Sequence, residues 1–266
     1  MNRQLHRYAD KWLEVARPLC ARLEAKLRHE GFGPHCRSGE NPKEFTKVLA
    51  WEQQLFAGYC LQLALYSEAP YPFAPGLLGF SAKLFVASAR QGEVEFHSGL
   101  NDCIEYMPGF KPTAPGSPTM LGVSLNWLMG GWDPVIGPFD ETMQRWFNVP
   151  IDQLEAAADD VHAMWLGHGM AFRGWIDTPE KLARVVEDAT VLPCSKKGSA
   201  PRAVNPSVHS AILYFDLGLP ERALETMKTA EKQLEAAVAR EEMPAGRLKT
   251  LRCQHDRLRE WMSTQR

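Results

Sequence analysis

The run LLGFSAKLFVASA, residues 77–89, decides the class of fold. Its apolar side chains alternate with Gly79, Ser81 and Lys83, the pattern of a strand that buries one face. Working outward, YCLQLALY (59–66), EVEFHSG (93–99) and TMLGVSLNWL (119–128) are likewise short apolar or alternating runs between Pro- and Gly-rich breaks. ARQGEVE (89–95) has the composition of a tight hairpin turn, and MPGFKPTAPGSP (107–118) that of a surface loop joining two strands. The middle of the chain is therefore expected to form a largely antiparallel sheet.

Helical spacing flanks this sheet. Leu5, Tyr8, Trp12, Val15, Leu19, Leu23 and Leu27 recur every three or four residues, an amphipathic helix bent by Pro18 and stopped at Gly31. Asn41, Pro42 and Glu44 form a helix-start signature, which predicts a helix or turn over 42–56. Beyond Asp140, DETMQRWF and IDQLEAAADDVHAMWL are helical, the second with an apolar stripe of Leu154, Ala157, Ala158, Val161 and Trp165. Thr178 and Pro179 are suited to start another helix. LPCSKKGSAPRAVNP (192–206) reads as a linker, and two or three helices follow, with AILYFDLGLPERALETM spaced like one tetratricopeptide-type hairpin. The expectation is an α/β (α+β) chain. Its main domain, 1–192, holds a central mainly antiparallel sheet covered by helices, and 205–266 form a C-terminal helical appendage.

With 266 residues and 45% hydrophobic side chains the chain can bury a full core. MNRQLHRYADKW contains no apolar run of signal-peptide or membrane-span length, so a cytoplasmic location and no membrane partner are expected. Cys20, Cys36, Cys60, Cys103, Cys194 and Cys253 form no CxxC pair and no zinc spacing, and are expected as reduced, mostly buried thiols. Net charge is −2, yet residues 51–190 carry seven Lys/Arg against seventeen Asp/Glu, a balance of −10. Such a segment repels nucleic acid and suits a basic partner or plain solvation. The aromatic residues also cluster where the chain is acidic, unlike those of a single-strand binder, so no nucleic-acid ligand is expected.

Catalytic signatures are absent: there is no GxSxG, no GxxxxGK, no GxGxxG after a strand and no HExxH. No catalytic residue and no cofactor are assigned on that basis. His162 and His168, six residues apart, point about 120° apart around a helix, so no metal is assigned either. The clearest Glu-x-Lys of the nuclease type, Glu24-Ala25-Lys26, lies in the first helix, where no strand-borne metal site can be built. His97 and Cys103 are a candidate base and thiol, the pair that a small-molecule hydrolase would use.

NWLMGGWDPVIGPFD (126–140) closes the strand-rich region. Trp127 and Met129 share a strand face and read as core, Gly130-Gly131 break the strand, Asp133-Pro134 turn the chain and Asp140 caps the next helix. Trp132 at the loop tip is a candidate interface anchor. Together with LGFSAKLFVASARQGEVEFHSG, Asn101, the strand ending in Pro108 and FRGWIDT, this stretch resembles the bacterial polymorphic-toxin immunity family numbered fifty-two. The matching positions are Gly99, Asn101, Trp132, Asp133, Pro134, Gly174 and Trp175, within Leu78–Trp175. The family's usual opening, an aromatic-glycine strand and an acidic helix, has no counterpart in MNRQLHRYADKW, nor do the C-terminal helices in its motif. The resemblance implies an αβα sandwich with an added helical domain and a non-enzymatic role. Its implied partner is a cognate antibacterial nuclease toxin, restriction-endonuclease-like and delivered by type VI secretion, which the chain binds and neutralises.

A toxin that acts on nucleic acid presents basic residues, so carboxylates are the expected contacts. The candidates are Glu93 and Glu95 on one side of a strand, and Asp152, Glu155, Asp159 and Asp160 along one helix, with Trp132 and Asp133 beside them. The Cys103–His97 hydrolase and a scaffold that docks a peptide in a helical groove are the alternatives. The oligomeric state is left open.

Overall fold

The computed structural model describes residues 11–34, 48–69, 74–103, 116–129, 145–188, 191–192, 202–203 and 205–265. An antiparallel sheet runs through it in the order β1 (Gly33–Pro34), β2 (Val48–Phe56), β3 (Tyr59–Glu68), β4 (Leu77–Ser88), β5 (Thr119–Ser124) and β7 (Arg202–Ala203), while the short β6 (Val149–Pro150) pairs with the start of β4. After a helical segment over residues 11–15, the helices among the described residues are α1 (Arg17–His29), α2 (Ala89–His97), α3 (Leu154–Met164), α4 (Met170–Gly174), α5 (Pro179–Glu187), α6 (Pro206–Asp216), α7 (Pro220–Ala239) and α8 (Ala245–Thr264). This is the expected α+β class with its antiparallel sheet and C-terminal helices.

Strand register explains where the core lies. Trp51 pairs with Leu63, Leu63 with Leu84 and Leu84 with Val123, so one row of apolar side chains crosses four strands on one face. All four are buried, as are Leu61, Val86 and Leu121 beside them. The opposite face carries Gln62, Tyr66, Ser81, Lys83 and Phe85, all half-buried, with Lys83 Nζ 4.8 Å from the centre of the Tyr66 ring. Gly79 in β4 allows a close crossing, because a Cβ there would lie 2.4 Å from Glu68 O and 2.7 Å from Phe147 O. Its carbonyl accepts the indole N–H of buried Trp12 at 2.9 Å, tying the N-terminal helical turn to the sheet.

Helix starts follow local chemistry. Pro18 sits in the first turn of α1, where an N–H has no intrahelical acceptor to lose, and the chain bends at Ala16 between residues 11–15 and α1. Leu19, Leu23 and Leu27 are buried on one side of α1, which packs on α3. Thr178 Oγ1 accepts from Lys181 N at 3.3 Å and Pro179 takes the first position of α5. The α6–α7 hairpin turns at Gly218, whose φ of +73° favours glycine. Residues Ser207 through Tyr214 of α6 are all buried, and one apolar core runs from Trp12 to Met262.

Several expectations are corrected. Residues 48–56 are a strand, not a helix: Leu49, Trp51 and Leu55 alternate onto the core side, and pairing with β3 overrides the upstream capping signature. Residues 89–97 are a helix, not a hairpin turn and a strand. Ser88 is extended and its Oγ accepts Gln91 N at 3.1 Å, which caps the helix. Gly92 is needed for close approach rather than a turn, since a Cβ would fall 1.8 Å from Gly116 O. Strand β5 ends at Ser124 and Leu125–Met129 form a 3₁₀ turn, so Trp127 and Met129 are not strand residues. The segment expected as a linker contains β7, which pairs with Leu121 and Gly122 of β5. Arg145–Asn148 form a turn, while residues 130–144, with Trp132, Asp133 and Asp140, lie outside the described residues.

The thiol expectation is also corrected for two cysteines. Cys103, in the 3₁₀ turn Leu100–Cys103, is bonded to Cys253 of α8 with a Cα–Cα distance of 5.7 Å across 150 residues of sequence. Tertiary folding brings the pair together, so no local spacing announces it. Cys20 and Cys60 remain thiols.

Candidate functional site

The acidic residues expected to meet a partner are largely engaged within the chain. Asp159 accepts Arg22 Nε and Nη2, both at 2.7 Å, and Lys26 Nζ lies 3.1 Å away; Glu155 receives Arg22 Nη1 at 3.2 Å. Asp160 holds Arg145 through two bonds of 2.6 Å and accepts Trp146 Nε1 at 2.9 Å. The helix that carries the acids therefore faces the basic α1, and two of its carboxylates staple the fold. Glu93 and Glu95 lie on α2 and not on a strand, so they point roughly 200° apart. Glu93 is exposed, whereas Glu95 is half-buried with Oε1 2.8 Å from Nε2 of the buried His209. Asp152, in the 3₁₀ turn Ile151–Gln153, and Glu155 remain on the surface.

The Arg22 guanidinium, with Lys26 beside it, holds the Asp159 carboxyl down from its ordinary 3.8 to about 2. A depressed carboxylate contributes stability above its unfolded value and loses it as pH falls through the folded one. Wild-type melting temperature is therefore expected to fall between pH 3.8 and about 2. Asp159→Asn is expected to lower melting at neutral pH and to flatten that acid limb, as read by circular dichroism melts across pH.

A different surface is left uncovered. Leu166, Met170 and Trp175 are 43%, 44% and 41% exposed, three of the eight large exposed hydrophobics among the described residues. Leu166 and Met170 lie about one turn apart on a continuous helical run of α3, a π-turn over Trp165–Gly169 and α4, and Trp175 caps the end of α4, with exposed Gly167, Ala171 and Gly174 between them. The π-turn inserts extra residues into the helix and swings the following side chains, a feature frequent at functional positions. Single exposed hydrophobics need no explanation, but a row of three ending in tryptophan is the composition of an interface anchor. Gly174 and Trp175 are also two of the positions that carry the family resemblance. Gly99 ends α2 with φ +71°, and Asn101 lies in the 3₁₀ turn after it.

The Cys103–His97 pair cannot supply a hydrolase with its nucleophile, because the Cys103 sulfur is bonded to Cys253. The remaining described thiols are poor nucleophiles: burial pushes Cys20 up to about 12, and burial with nearby Glu52 pushes Cys60 up to about 11. A hydrogen-bonded relay missed by the sequence reading spans the last three helices. Ser207 Oγ lies 3.0 Å from His255 Nε2, and His255 Nδ1 lies 2.7 Å from Glu231 Oε1. Its members sit on α6, α8 and α7, so no motif spacing could announce it.

A cleft of about 550 Å³ opens where the β2–β3 turn, α2, α5 and α6 meet, lined among others by Phe56, Tyr59, Arg90, Glu93, Leu213 and Asp216. Arg90 holds Asp216 with bonds of 3.0 and 2.7 Å. Burial pushes the Tyr59 phenol up to about 12, and its oxygen accepts Gln91 Nε2 at 3.0 Å. Among the described residues no group of three metal-binding side chains lies together, and His162 Nε2 is 3.7 Å from Glu30. No described helix is long and apolar enough to cross a membrane. Comparison with known proteins finds no matching family model, no matching characterised protein and no matching solved structure.

Proposed function

We propose that the chain is an immunity protein that binds and neutralises a cognate antibacterial nuclease toxin, a restriction-endonuclease-like effector of type VI secretion. The observation that carries this reading is the exposed row Leu166–Met170–Trp175, which ends on the Gly-Trp step of the family motif. The apolar row serves as the anchor, and exposed Asp152 and Glu155 at the other end of the same helical run steer the basic surface of the toxin toward it. The interface is thus centred on α4 and the π-turn, with the carboxylates as rim. The site of action is the cytoplasm, where the toxin's nucleic acid lies.

The test is co-expression with the nuclease toxin encoded beside the gene. Growth is expected to be restored by the chain, with a stable complex recovered by size exclusion. A toxin that kills equally in its presence, or an adjacent frame that encodes no nuclease, contradicts the reading.

A further inference from the structure

The relay across α6, α7 and α8 has the parts of an acyl-transfer site. Glu231 is an anion at neutral pH: its carboxyl is held below the usual range by His255 and by Arg259, whose Nη2 lies 2.6 Å away, against the opposing effect of burial. A carboxylate only accepts, so His255 Nδ1 carries the proton that points at Glu231. His255 is fully buried, and burial lowers its pKa, so the ring is neutral and Nε2 presents a lone pair. Ser207 Oγ–H donates to that lone pair. Nucleophile, base and orienting carboxylate are thereby in line, in the roles that activate a serine.

The backbone adds two further elements. Ser207 follows Pro206 at the start of α6, directly after Asn205, whose φ of 43° and ψ of 55° turn the chain sharply between β7 and the helix. Pro206 has no N–H, while Val208 and His209 give theirs to Asn205 O at 3.0 and 3.1 Å. The N–H of Ser207 is thus the first amide of an eleven-residue helix and lies outside the intrahelical ladder, at the positive end of its dipole. An oxyanion formed on a carbonyl attacked by Ser207 Oγ would develop beside it.

We infer that Ser207 is an activated nucleophile toward small, uncharged carboxylic esters, with His255 as general base and Glu231 as positioning residue. Small and uncharged follow from access: Ser207 is only 6% exposed, and a charged acyl group would have to shed its water to reach it. Ser207 Oγ bonds to the ester carbonyl carbon as its proton passes to His255 Nε2. The carbon–alkoxide bond then breaks and the leaving oxygen takes that proton. Water attacks the acyl-serine through the same base, releasing the carboxylic acid and restoring Ser207, so that ester and water give acid and alcohol.

The test uses the full chain alone with p-nitrophenyl acetate, and separately with a fluorophosphonate probe, followed by peptide mapping. One adduct per chain on the peptide that contains Ser207 is expected, with a burst of nitrophenol. Ser207→Ala is expected to slow the burst at least 100-fold. Glu231→Gln is expected to slow it and to move the acid limb of its pH profile to lower pH, because the imidazolium loses its anionic partner; a purely structural role leaves no such limb. Absence of a Ser207 adduct on the folded wild-type protein overturns the inference, whether or not the variants fold. No toxin enters the assay, so its failure and a failure of the binding reading are separate results.

Discussion

Cys253→Ser is expected to lower the melting temperature of the oxidised protein by roughly 5–15 °C, given a typical disulfide contribution of ~2–4 kcal/mol and up to ~5 kcal/mol for a loop of this length. The bond closes 150 residues of sequence, so its loss frees an unusually large part of the unfolded chain. It also joins the 3₁₀ turn Leu100–Cys103 to α8, whose other anchors include His255 bonded to Ser207, Arg259 bonded to Glu231 and the Trp261 ring against Phe215 at 5.4 Å. Cys253 is exposed and Cys103 half-buried, so a soluble reductant reaches the bond. Dithiothreitol should reproduce the loss in the wild type and change nothing in Cys253→Ser. Equal melting of the two proteins with and without reductant would show that α8 is held by its packing alone.

Trp165→Ala is expected to cost about 3–5 kcal/mol, the range for removing a large buried aromatic. The ring is 1% exposed, meets Phe32 edge-on at 4.9 Å and fills the space over Gly169, where a Cβ would lie 2.3 Å from its Cε3. Its indole N–H has no hydrogen-bond partner among the described residues, so the ring is held by packing. Trp165→Phe, which keeps an aromatic ring there, should retain most of that stability. Trp175→Ala, ten residues on and exposed, should stay within about 0.5 kcal/mol of wild type. Urea titrations of the three variants check this, and a large loss at Trp175 would move that residue from the surface to the core.

How much of this was legible depends on whether the deciding contact was local. Strands over 59–66 and 77–88 alternate cleanly and are cut by Pro and Gly, and Thr178-Pro179 starts α5 as its chemistry dictates. The segments 48–56 and 89–97 are not legible locally, because their short-range signals compete with distant ones. Gln53 interrupts the alternation of β2, and Gly92 is required by Gly116, 24 residues away. The acids of α3 were visible, but their partner Arg22 lies 133 and 137 residues away from Glu155 and Asp159, so their neutralisation was not. The apolar row is not legible in the sequence, because a regular helix extrapolated from Leu154–Trp165 does not contain the π-turn at Trp165–Gly169.

On the proposed reading the exposed row, rather than the acidic stripe alone, holds a toxin. The test is binding of the chain to a nuclease toxin, sought in the reading frame beside its gene, measured by titration calorimetry at two salt concentrations. Combined Leu166→Ser, Met170→Ser and Trp175→Ala is expected to weaken binding at least ~100-fold while melting stays unchanged. Asp152→Lys with Glu155→Lys is expected to weaken it modestly and to alter its salt dependence. Full affinity in the row variant, with unchanged melting, would contradict the account.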